Sequence, residues 1–182
     1  MTTELELPDF ESWTDAQIDA FTDKVIEALD KLPEEGVPGH VYSREEVETL
    51  YAAGYQLYRQ GDLKNSTAIF QYLCIHESDD ARFWTALAVA MQKQKKWEPA
   101  IDAYSMAALL DATNVSLYLY ATECLMTSRQ WSRAKQSLDA FFTVCGNVHG
   151  DGDNPEVRPL IDKAEVWKDV VESKLAGAAE PS

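Results

Sequence analysis

Tyr51, Tyr55 and Tyr58 stand at i, i+4 and i+7, so on a helix all three phenols rise from one stripe. Such rings bury apolar area against a ligand while their hydroxyls hydrogen-bond a peptide backbone, which suits the capture of an extended chain. The same segment has a second face, Leu50, Ala53, Gly54 and Leu57, sufficient to pack it on a partner helix without the tyrosines. Two readings follow. The tyrosines line an open groove, which is the favoured reading, or they pack against a helix nearer the N-terminus.

Residues that could do covalent chemistry are not arranged for it. His40, His76 and His149 fall in a linker, at a helix end and in a loop, without HExxH or any other ligand spacing. There is no Gly-rich phosphate loop and no G-x-S-x-G elbow. Cys74, Cys124 and Cys145 are odd in number and lack CxxC spacing, so each is expected as a small buried apolar residue in a reducing compartment. Glu45-Glu46 and Asp79-Asp80 sit where helices should start, and capping accounts for them. Lys93, Lys95 and Lys96 read as a solvated corner, and Trp97 and Trp131 as core plugs. The expectation is a protein with no catalytic residues, no metal site and no cofactor.

The elements that position the tyrosines repeat every 34 residues. Gly54, Ala88 and Thr122 share one register, as do Ser66, Ala100 and Ala134, Phe70, Tyr104 and Leu138, and Leu73, Ala107 and Phe141. Leu57, Met91 and Leu125 fill a further register, and Leu63, Trp97 and Trp131 another. A small residue in one helix facing a small residue in the next lets the two approach, and the large apolar residues fill the space between. This period is the signature of tetratricopeptide helix pairs. The predicted fold is all-α: a helical-hairpin solenoid of three repeats with an N-terminal helical arm and a C-terminal capping helix. The tyrosine register continues as Thr85, Val89 and Gln92, then Leu119, Glu123 and Met126, and these complete the candidate groove.

Capping signals and turns set the organisation. Residues 1–40 form an acidic arm, in which Thr14 and Gln17 open an amphipathic helix to about Lys31 before a linker rich in proline and glycine. Its stripe is Phe21, Val25 and Leu29, with Ile18 and Ile26 nearby. Residues 41–146 hold the repeats: Ser43 and Glu46 make a capping box, Gly61-Asp62, Lys95 and Arg129 mark turns, and Asp80 and Asn114 start the second and third pairs. Pro99 is placed near the first helical position, and the third pair should end near Gly146. Residues 147–182 should be a polar loop to Asn154, a helix from Pro155 to about Leu175, and a frayed tail from Ala176.

The 182 residues are 46% hydrophobic and carry a formal charge of −15, of which residues 1–48 supply −11. With no basic stripe such a chain repels phosphate, so nucleic acid and anionic membranes are excluded as partners, and a basic or neutral apolar ligand fits. The acidic first residues do not resemble a secretory signal, and no run approaches a membrane span, so the cytoplasm is the expected location.

Several strings, weak singly, together resemble one family. They are Leu50-Tyr51-Ala52, Tyr58-Arg59-Gln60-Gly61, Ile69-Phe70-Gln71-Tyr72-Leu73-Cys74, Ala81-Arg82-Phe83-Trp84, Ala100-Ile101-Asp102-Ala103-Tyr104-Ser105 and Ala121-Thr122-Glu123-Cys124-Leu125. Over residues 42–145 their order and spacing are similar to the class II chaperones of bacterial type III secretion, the SycD/LcrH-like translocator chaperones. The resemblance implies a cytoplasmic chaperone of a Gram-negative bacterium. Such a chaperone holds hydrophobic, pore-forming translocators by short extended segments in its concave groove. Tyr51, Tyr55 and Tyr58 match the family's aromatic groove positions, while Leu63 stands where an aromatic residue is often found. The resemblance also implies a homodimer through the N-terminal helix, which suits Phe21, Val25 and Leu29. The alternative is a tetratricopeptide adaptor or scaffold for other proteins. An adaptor that captures a C-terminal carboxylate needs Lys, Arg and Asn on the concave face, where this chain has Tyr51, Tyr55, Ala86, Ser116 and Tyr120.

Overall fold

The computed structural model describes residues 43–149, 155 and 157–179, and every regular element among them is a helix. In order these are α1 (Arg44–Gln60), α2 (Leu63–His76), α3 (Ala81–Lys93), α4 (Trp97–Leu110), α5 (Val115–Thr127), α6 (Trp131–His149) and α7 (Arg158–Ala179). The expected N-terminal helix, its Thr14 and Gln17 capping box, the linker with His40, and the dimerisation residues Phe21, Val25 and Leu29 lie outside the described residues. The chain forms two compact units, one closing at Ser78 and one opening at Asp79.

In the first unit α1 and α2 make a single hairpin. The capping box forms as expected: the Ser43 backbone N–H donates to Glu46 Oε2 at 2.8 Å, and the Glu46 N–H donates to Ser43 Oγ at 3.3 Å. Ala53, Leu57, Ile69, Phe70 and Leu73 are buried between the two helices. Gly54 is required by contact. A Cβ there would sit 2.7 Å from the Phe70 ring and 3.0 Å from Ile69. The start of α2 uses a cap that the sequence reading missed, with the Asp62 carboxylate accepting from the Asn65 backbone N–H at 3.1 Å and from its side chain at 2.7 Å.

The second unit contains two more hairpins, α3 with α4 and α5 with α6. Here α4 also packs on α5, and α6 on α7. Ala88, Thr122, Ala100 and Ala134 are fully buried, as the repeat registers require, and Tyr104, Leu138, Ala107 and Phe141 fill the space around them. Val157, Ala164 and Val171 recur every seven residues as the buried edge of the C-terminal segment.

All three hairpin turns have one geometry. The Gly61, Lys95 and Arg129 N–H groups donate to Tyr58, Gln92 and Met126 carbonyls at 3.1, 2.8 and 3.1 Å. The next N–H groups, of Asp62, Lys96 and Gln130, reach back to Leu57, Met91 and Leu125 at 2.9, 3.0 and 2.8 Å. This is the Schellman arrangement, which needs a left-handed residue at its centre. Gly61 adopts φ 86°, and Lys95 and Arg129 both adopt φ 61°.

Several expected boundaries move. α6 continues through Gly146 to His149, since a helix tolerates a solvent-facing glycine at a cost of only about 1 kcal/mol. α7 starts at Arg158 and not at Pro155, which lies in a turn, and it runs through the supposed frayed tail to Ala179. Pro99 is the third residue of α4. Asn114 occupies the cap position of α5, but its side chain makes no capping bond there.

Candidate peptide-binding site

In the first unit, α1 presents its tyrosines in graded fashion. Tyr55 is 50% exposed, and its ring stacks on half-buried Tyr58 with centroids 6.4 Å apart. Neither of these two hydroxyls hydrogen-bonds to another described residue. Tyr51 lies 6.0 Å from the Phe70 ring, tilted by 51°, and so braces the hairpin core as well as the stripe. Leu63 is half-buried at the start of α2. The pair of rings and free phenols on α1 is able to cover an apolar side chain and to hydrogen-bond the peptide groups beside it. Meanwhile Ala53 and Leu57 turn inward, the latter 1% exposed, and Leu50 is half-buried; Glu48, Ala52 and Gln56, on neither of the two expected faces of α1, are buried as well.

The second unit carries the remaining candidates. Thr85, Val89 and Gln92 on α3 and Glu123 and Met126 on α5 are all half-buried, with part of each side chain in solvent. Leu119 is different. At 2% exposure it belongs to the core of this unit, because a leucine at that register gains more by burial than by facing solvent. Thr85 Oγ1 donates to the Ala81 carbonyl at 2.8 Å, so its one O–H donor is already used. Gln92 is held by a group the sequence reading placed only in the core: the Tyr104 hydroxyl donates to Gln92 Oε1 at 2.6 Å. A hydrogen bond between residues 12 apart, across two helices, has no signature in a linear pattern.

The cysteines are structural here. Cys74, Cys124 and Cys145 are free and buried, and burial, reinforced by neighbouring Glu123, pushes the Cys124 thiol up to about 12. Burial also raises the Cys145 thiol. Asp80 caps α3 through the Arg82 backbone N–H at 2.8 Å. Partial burial raises its pKa, but bonds to the Arg82 guanidinium and backbone outweigh that and hold it below the usual carboxylate value. His76 packs on Tyr72 with ring centroids 4.2 Å apart. A cavity of about 290 Å³ opens between α4 and α5, lined by Tyr104, Leu109, Leu117, Tyr118 and Ala121 among others, and none of the sequence-predicted groove residues borders it.

No family model matches the chain. Its sequence is 28% identical over 96 residues to low calcium response locus protein H of Yersinia pestis, covering 53% of this chain and 57% of that protein. The chain thus spans less than two thirds of the length of such curated relatives. Its fold superposes on the Yersinia enterocolitica type III secretion chaperone SycD, solved with a peptide of the translocator YopD, with a TM-score of 0.64 at 23% identity, covering 72% of this chain and 96% of that one. The match to PcrH of Pseudomonas aeruginosa, solved with the chaperone-binding region of PopD, has a TM-score of 0.65 at 24% identity and covers 75% and 98%. The fold is that of the translocator chaperones. The sequence likeness and the shared fold thus fall on the same set of proteins. Within the translocator-chaperone fold, α1, α3 and α5 are the first helices of their pairs, and they are the helices that carry the tyrosine register.

Proposed function

We propose that the chain is a cytoplasmic chaperone of type III secretion without catalytic activity. In this reading it binds extended apolar segments of pore-forming translocators and keeps them soluble and competent for export. The observation that carries the reading is the stacked, half-open Tyr55 and Tyr58 pair on the first helix of a fold shared with proteins solved in complex with translocator peptides. Binding sequesters surface that would otherwise aggregate or insert into the wrong membrane, so differential affinity is the whole mechanism. The client-contacting residues of this proposal are, in the first unit, Tyr51, Tyr55, Tyr58 and Leu63, and, taken separately in the second, Thr85, Val89, Gln92, Glu123 and Met126. No helix among the described residues is long and apolar enough to cross a membrane, in keeping with a cytoplasmic role.

Homodimerisation through Phe21, Val25 and Leu29 is part of the same proposal, since apolar residues at helical spacing in an otherwise acidic sequence gain by burial. Removing residues 1–38 should halve the particle mass in light scattering, beyond the loss of the segment itself. An unchanged stoichiometry would assign the stripe elsewhere. The function is tested by co-expression with translocators of the same secretion system. The expected outcome is co-purification and rescue of translocator solubility. Translocators that stay insoluble and unbound would favour the adaptor or scaffold reading.

A further inference from the structure

The three hairpins place different groups at two coupled registers. At 58, 92 and 126 stand Tyr, Gln and Met, and at 70, 104 and 138 stand Phe, Tyr and Leu. In the first hairpin the phenol is on the outer register and the inner ring has no polar atom. In the second, the phenol is inside. Tyr104 is 1% exposed, yet its hydroxyl reaches Gln92 Oε1 at 2.6 Å. A buried O–H needs an acceptor, and the Gln92 carboxamide supplies it. Because a carboxamide is planar, fixing Oε1 also fixes Nε2, which keeps both of its N–H donors. Gln92 is half-buried, and Nε2 makes no hydrogen bond to another described residue. The second hairpin therefore holds a pair of oriented, unused donors at the register where the first has a phenol and the third a thioether.

We propose that Gln92, positioned by Tyr104, is a specificity element of the site: its N–H groups read a carbonyl acceptor, a backbone C=O, of the bound client segment. The inference rests on the groove reading given above. It assigns Gln92 to direct contact and Tyr104 to a positioning role, since the phenol holds the carboxamide in one orientation and spares its immobilisation on binding. The neighbouring candidates Val89 and Met126 offer only apolar contact through their side chains. The bond therefore orients the client backbone at this point, which apolar contacts alone would not do.

The test uses the full chain and overlapping peptides from the translocators of its own secretion system, with the tightest binder carried forward. Tyr104→Phe together with Gln92→Met replaces both hydrogen-bonding groups by shapes already found at the homologous registers, Phe70 and Met126, so the melting temperature should hold. Affinity for the peptide should fall about 5-fold, the worth of one ordinary hydrogen bond. Tyr104→Phe alone should lose about 3-fold through lost orientation. A scan of the peptide with backbone esters, which weaken the carbonyl as an acceptor, should find one position that costs the wild type affinity and costs the double variant nothing. Equal affinity of wild type and double variant, or an ester scan identical for both, would overturn this inference and leave the proposed function standing. Failure of every peptide to bind the wild type would remove the function and the inference together.

Discussion

At residues 51, 55 and 58 the first hairpin carries three phenols, whereas the second unit carries Thr85, Val89 and Gln92 and then Leu119, Glu123 and Met126 at the same register. The cores of these hairpins invert that contrast. In the second unit Ala100 and Ala134 are fully buried methyl groups, while the first unit places Ser66 there, also fully buried and with no hydrogen-bond partner for its hydroxyl. At the turns the first hairpin has the fitting residue, Gly61, and the other two force Lys95 and Arg129 into the left-handed region. One backbone thus serves three local chemistries. The period fixes which positions must be small or large, and each hairpin departs from the best choice somewhere without changing its geometry.

The comparison breaks first at the shared core. Leu57 and Leu125 occupy one register and are 1% and 3% exposed, so Leu57→Ala and Leu125→Ala should each destabilise the protein, by about 2–5 kcal/mol through loss of buried methyl groups and the cavity left behind. Chemical denaturation checks this. A cost below about 1 kcal/mol for one of the two would mean that the hairpins are not equivalent in packing.

Ser66→Ala sharpens the comparison from the other side. It removes an unsatisfied buried hydroxyl and installs the residue that the second unit already uses, so the first unit should gain about 1–3 kcal/mol. A loss of stability would show that the hydroxyl has a partner in solution. The smallest effect belongs to the turns. Lys95→Gly and Arg129→Gly relieve a positive φ and should stabilise by about 1 kcal/mol or less each, while Gly61→Ala should cost a similar amount. Melting temperatures of the three variants compared side by side would expose any turn in which the left-handed residue is not needed.

Much of this fold is legible in the sequence because its constraints are local or periodic. Ser43 and Glu46 announce a capping box, Gly54 marks a close approach, and spacing identifies most of the core of each hairpin, although Trp97 and Trp131, expected as core plugs, are only half-buried, as is Leu63 in the same register. The limits are equally specific. Gly146 reads as a stop, yet nothing lies near it to punish continuation, and α6 runs on. Leu119 shares the register of solvent-facing residues, but its burial depends on neighbours that periodicity does not supply. The bond from Tyr104 to Gln92 joins two registers that a repeat alignment treats separately, so only the packed hairpin reveals it. The candidate site was legible as a stripe, whereas the chemistry within it was not.

The central claim is that α1 devotes one face to folding and the other to a client. Its most direct test is client affinity and thermal stability measured on the same samples of Tyr55→Ala/Tyr58→Ala, with Leu57→Ala as the crossed control. The double tyrosine variant should lose about 2–5 kcal/mol of translocator binding, as truncated aromatic anchors do, with little change in melting temperature. The Leu57 variant should melt early, with its folded fraction still binding. A double tyrosine variant that melts as early as Leu57→Ala, and whose folded fraction binds client like the wild type, would show that these rings belong to the core and contradict the account.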